Sequence, residues 1–116
     1  MKYVDNYDGD TITVNIPNVH PLLGKKAKIR VNGVDTPELR TKDKCEKRKG
    51  RMAKKLVRSV LKNGKVINLT NVKKGKYFRI VADVQVDGKN LSDILLKNKL
   101  AYPYRGKTKK KVDWCN

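Results

Sequence analysis

The reading of this chain turns on Ile29-Arg30-Val31-Asn32-Gly33-Val34-Asp35-Thr36-Pro37-Glu38-Leu39. Alternation puts Ile29 and Val31 on one face of a short strand and Arg30 on the other. A glycine turn follows, and then two carboxylates flank a proline. Pro37 biases Thr36 towards an extended backbone, so Asp35 and Glu38 are expected on a fixed loop rather than in a helix. A rigid loop that holds two anions near a guanidinium is suited to metal and phosphate chemistry.

Upstream, Lys2 to Asp8 reads as a first strand. Asp8-Gly9-Asp10 makes a turn, and Thr11 to Ile16 alternates with Ile12, Val14 and Ile16 inward. Pro17 to Gly24 is a loop that carries His20, and Ala27 to Val31 is the third strand. Downstream, Arg40 to Gly50 is dense in lysine and is expected to be a mobile surface loop. Met52, Ala53, Leu56, Val57, Val60 and Leu61 recur at helical spacing, which predicts an amphipathic helix over Arg51 to Leu61 with Lys54, Lys55 and Arg58 on its wet side. Asn63-Gly64 is its stop signal. Lys65 to Leu69 is a fourth strand, Val72 to Tyr77 a loop bending at Gly75, and Arg79 to Val86 a fifth strand. Asp87-Gly88 turns the chain, Asn90 caps a short helix over Leu91 to Lys97, and Leu100 to Asn116 is an irregular basic tail. Five short strands with an interposed helix predict a β-rich α+β fold. It is a five-stranded OB-fold barrel with two or three packed helices, formed by residues 1–116 as one domain with a basic tail at 105–116.

Composition narrows the function. The 116 residues hold 29 Lys and Arg against 11 Asp and Glu, a formal charge of +18, and 38% of them are hydrophobic. A charge of that size repels itself in the compact state, so a polyanionic partner is expected: DNA or RNA first, an anionic membrane second. No apolar run has the length of a membrane-spanning helix, and the first residues lack the apolar core of a signal peptide. Either the chain is not exported by that route or the signal has been removed. With two cysteines, Cys45 and Cys115, and one histidine, the chain cannot build a zinc site of four cysteines or of two cysteines and two histidines, nor two-histidine acid–base chemistry. The cysteines allow one disulfide or two free thiols.

Asp8, Asp10, Asp35 and Glu38 are concentrated at two turns of a basic chain. Each turn alone has a bland reading, an Asp-Gly hairpin and a helix-capping turn. Together with Arg30 they favour a hard oxygen-ligand cation site, and the spacing excludes an EF-hand.

Tyr7-Asp8-Gly9-Asp10-Thr11, then Arg30 through Glu38, then Lys76-Tyr77-Phe78-Arg79, with a helix between the last two, resemble the staphylococcal nuclease family in that order. The likeness runs from Tyr3 to about Tyr104. It implies an OB barrel with helices and a calcium-dependent, largely sequence-nonspecific hydrolysis of DNA and RNA phosphodiesters. By the same resemblance, Asp10 and Asp35 are calcium ligands, with Thr36 adding a backbone carbonyl. Glu38 orients or activates the attacking water, Arg30 and Arg79 hold the phosphate, and Lys76, Tyr77 and Tyr104 contact the nucleotide. The chain departs from the family pattern at the longer Pro17 to Gly24 loop, at Gly75 and Phe78, and in the family's long C-terminal helix, which is shortened or absent. A tail without that helix needs another anchor, for which a Cys45–Cys115 disulfide is the candidate; it would imply a secreted or periplasmic life. The alternative function is a catalytically silent barrel that only binds nucleic acid or a partner. A monomer is expected in either case.

Overall fold

The computed structural model describes residues 2–17, 26–74, 80–104 and 114. The strands are β1 (Lys2–Asn6), β2 (Thr11–Asn15), β3 (Ala27–Val31), β4 (Val34–Asp35), β5 (Ile67–Lys74), β6 (Ile80–Val86), β7 (Lys89–Asn90) and β8 (Tyr102–Pro103); the helices are α1 (Lys44–Asn63) and α2 (Leu91–Lys97). The main sheet runs β1-β2-β3-β6-β5, with β7 paired to β6, and β4 pairs β8 separately. All pairings in the five-strand path are antiparallel except β3 with β6, which is parallel. That order, with a helix entering between β4 and β5, is the expected β-rich α+β fold of OB type.

Period-two alternation decides the inner face. Ile12 and Val14 from β2, Ile29 and Val31 from β3, and Ala82 and Val84 from β6 are at most 1% exposed. Ala53, Val57 and Leu61 bring the apolar face of α1 onto them, and Leu91 and Leu95 do the same from α2. Asp87 and Gly88 both have positive φ, the conformation that a two-residue hairpin between β6 and β7 demands.

Three expectations need correction. The lysine-rich stretch before Gly50 is helix and not loop: α1 starts at Lys44, because the Asp43 side chain accepts from the N–H groups of Cys45 and Glu46. Gly50 looked like a loop residue, yet it lies inside the helix for lack of space; a Cβ there would sit 3.0 Å from the Pro37 carbonyl oxygen and 3.2 Å from that of Glu38. Met52 is 47% exposed and lies off the apolar face. Second, β5 continues to Lys74 through an irregularity between Thr70 and Lys73, with Asn71 at φ +51 taking up the bulge. Third, the tail is not wholly irregular: β8 pairs with β4, and Trp114 is buried against Tyr102 with ring centroids 6.0 Å apart. His20, Gly75, Lys76, Tyr77, Phe78, Arg79, Cys115 and the 105–113 tail lie outside the described residues.

Candidate active site

The site is built where β2, β3 and β4 meet. The Asp8 carboxylate folds back to accept from the N–H groups of Asp10, at 3.1 Å, and Thr11, at 2.9 Å, closing the turn that starts β2. The Asp10 carbonyl accepts from the Val31 N–H at 2.8 Å, so the turn is stitched to the end of β3. Gly9 is required by proximity, since a Cβ would come within 2.8 Å of both the Ala53 Cβ and the Thr36 Cγ2. The two carboxylate-bearing segments therefore pack on each other and on α1.

Asp10 and Asp35 are 6% and 4% exposed, and they converge on one cation. Arg30 Nη1 lies 3.5 Å from Asp10 Oδ2 and Arg30 Nη2 lies 3.3 Å from Asp35 Oδ1. The same guanidinium donates to the Val34 carbonyl at 3.1 Å, and its Cζ lies 5.4 Å from the centroid of the Tyr104 ring. The Thr36 N–H donates to Asp10 Oδ2 at 3.1 Å, and the Tyr102 hydroxyl donates to Asp35 Oδ2 at 2.6 Å. Sequence alternation had placed Arg30 opposite Ile29 and Val31, and its lodging between the two aspartates is the consequence.

Glu38 is exposed just beyond the buried Pro37. Its backbone N–H donates to Glu46 Oε2 at 2.9 Å, which fastens the carboxylate loop to the first turn of α1. Glu46 and Tyr102 are the residues that sequence reasoning missed. Glu46 is the sole acidic residue of α1, a signal available in principle; Tyr102 shares a Tyr-Pro-Tyr segment with Tyr104, but only the β4–β8 register brings it opposite Asp35.

Burial, and next the neighbouring Asp8 carboxylate, raise the Asp10 pKa above the ordinary carboxylate value, with Arg30 and the Thr36 N–H compensating only in part. Burial and the Asp35 carboxylate also push the Tyr102 phenol up, so it remains a proton donor. The sign for Asp10 follows by linkage. A carboxyl raised in the folded state contributes stability below its unfolded pKa, and that contribution is lost as pH rises through the folded value. In calcium-free buffer at neutral pH, Asp10→Asn should therefore melt higher than wild type, by a margin that shrinks as pH is lowered; a lower-melting variant at neutral pH would contradict this charge balance.

Among the described residues no three His, Cys, Asp or Glu side chains come together as a metal cage. What converges is a carboxylate pair, and the hydroxyl of Thr36, the residue after Asp35, is buried without a hydrogen-bond partner among the described residues. Two buried hard-oxygen anions, with an orphaned oxygen on the residue that follows one of them, fit part of a shell for a hard cation.

An OB-type sheet carrying a buried aspartate pair, an arginine between them and a glutamate at the rim defines the class to which the molecule belongs. Residues 28–114 match the family model described as Staphylococcal nuclease homologue. The chain belongs to that family. It is 38% identical over 109 residues to Endonuclease YncB of Bacillus subtilis (strain 168), covering 88% of this chain and 48% of that protein. It is also 34% identical over 113 residues to SPbeta prophage-derived endonuclease YokF of the same strain, covering 88% of this chain and 34% of that protein. The chain thus spans about half of the first relative and a third of the second.

Proposed function

We propose that the protein is a calcium-dependent, largely sequence-nonspecific nuclease that hydrolyses phosphodiester bonds of DNA and RNA. The observation that carries this reading is the convergence of buried Asp10 and Asp35 on Arg30. Two relatives bearing the name endonuclease support it. A module that only binds nucleic acid has no use for buried carboxylates that repel phosphate. Release of soluble nucleotides from both DNA and RNA by purified protein is the expected result; binding of both without release would favour the silent module.

Asp10 and Asp35, with the Thr36 carbonyl, would hold the calcium ion. Bound there, the ion supplies Lewis-acid polarisation of the phosphoryl oxygen and partial neutralisation of the diester. Glu38 takes the proton of the attacking water as its oxygen bonds to phosphorus, the P–O ester bond to the leaving group breaks, and the leaving oxygen takes a proton from solvent. Arg30 and Arg79 face the charge that builds on the equatorial oxygens, through paired donors that lysine cannot reproduce. Both are assigned to charge stabilisation rather than proton donation. Lys76, Tyr77 and Tyr104 contact the nucleotide.

Binding should be electrostatic and indifferent to sequence. Lys44, Arg48, Arg51, Lys55, Arg58 and Lys62 recur along the exposed side of α1. Such a row attracts phosphates by releasing counterions and carries no groups arranged to read bases. Anisotropy titrations should show affinity falling steeply with salt and nearly equal for unrelated sequences; tight binding of one sequence at high salt would contradict this.

Cys45 sits in the first turn of α1 and is disulfide-bonded. Its proposed partner is Cys115, the neighbour in sequence of buried Trp114. The bond closes a loop of about seventy residues, for which chain entropy alone gives roughly 4 kcal/mol. It suits a monomer that works in an oxidising compartment, secreted or periplasmic. Mass analysis without reductant should find both thiols protected, and reduction should lower the denaturant midpoint. Two free thiols on folded protein from an oxidising compartment would remove the pairing and this argument for export.

A further inference from the structure

Tyr102 stands outside every role assigned so far, yet its hydroxyl lies 2.6 Å from a carboxylate oxygen of Asp35. β8 is a two-residue strand placed antiparallel to β4 so that Tyr102 lies opposite Asp35 and Pro103 opposite Val34. The register is fixed from two sides. The Tyr104 N–H donates to the Gly33 carbonyl at 2.9 Å, and the Tyr102 ring packs at 6.0 Å against Trp114, which is 7% exposed. A phenol held this way has little freedom to swing, and its hydroxyl donates to Asp35 Oδ2 at 2.6 Å. The other oxygen of the same carboxylate, Oδ1, accepts from Arg30 Nη2 at 3.3 Å. The two contacts engage both oxygens of the carboxylate from different elements. A hydrogen-bond donor behind a ligating carboxylate is the usual means by which a protein orients such a ligand, and its loss commonly costs ten- to a hundredfold in metal affinity.

We infer that Tyr102 is a positioning residue for the cation site: its hydroxyl, braced by Trp114, fixes the Asp35 carboxylate in the orientation that binds the ion. This inference rests on the reading of Asp10 and Asp35 as cation ligands. Tyr102 touches neither ion nor phosphate in this role and acts only through Asp35. Tyr102→Phe removes the one hydroxyl and keeps the ring that packs on Trp114, so the strap itself stays in place.

The test is calcium binding by isothermal titration calorimetry on the full chain, without nucleic acid, for wild type and for Tyr102→Phe. Circular dichroism melts of both proteins in chelator run alongside. The expected result is a calcium Kd about tenfold weaker in the variant, with turnover on DNA recovering when calcium is raised by a similar factor. A variant that binds calcium as tightly as wild type would overturn the inference while leaving the nuclease reading intact, and a lowered melting temperature with unchanged Kd would do the same by showing a purely structural bond. Absence of calcium binding in wild type would remove both.

Discussion

Arg30→Lys should lower turnover on DNA about a hundred- to a thousandfold while affinity for nucleic acid survives, the loss typical of removing one preorganised donor, roughly 3 to 4 kcal/mol. Lysine keeps the charge that Asp10 and Asp35 require, so the fold is retained, but it cannot present two parallel donors to a phosphate. Arg30→Gln should lose the same turnover and stability as well, because the two aspartates are then buried without their cation. Breaking a buried pair by removing one partner costs roughly 3 to 5 kcal/mol. Glu38→Gln and Arg79→Ala should each lower turnover by a similar factor, and Glu38→Gln, at an exposed position, should do so without the stability loss expected of Arg30→Gln. The check is single-turnover cleavage for rate, anisotropy for binding and thermal melting for each variant. An interaction made mainly in the transition state lowers kcat and leaves KM nearly unchanged. Near-normal turnover in all of these variants would refute the assignment.

The alternating strands were legible because burial on one face writes itself as period two, and Ile12, Val14, Ile29, Val31, Ala82 and Val84 all lie where that period puts them. The carboxylate turns were legible because an Asp-Gly step marks a turn before Asp10 and Pro37 restricts the backbone after Asp35. The start of α1 was not, since its first turns present lysines, a glutamate and a glycine, and the reason for Gly50 is a loop packed across it from another part of the chain. Local propensity carries no record of that contact. Tyr102 was missed for a similar reason: sixty-seven positions separate it from Asp35, and a two-residue strand has too few side chains to show a period. The sequence pattern therefore exposed the candidate ligands and hid the groups that hold them, Glu46 behind Glu38 and Tyr102 behind Asp35.

The second large effect is the dependence on calcium. Asp10 and Asp35 are buried anions that share Arg30, the residue also assigned to the phosphate. A bound cation would offset their charge while Arg30 faces the substrate, and the donor set is one of hard oxygens. Zinc and copper, which favour nitrogen and sulfur, should not replace calcium. Digestion of plasmid DNA and of RNA by the purified protein, in calcium and in excess chelator, tests this most directly. The account predicts rapid degradation of both substrates in calcium and at least a hundredfold loss in chelator, reversed by restoring calcium, on the order of the loss expected when one charge-stabilising group is removed. Undiminished cleavage in excess chelator would contradict it.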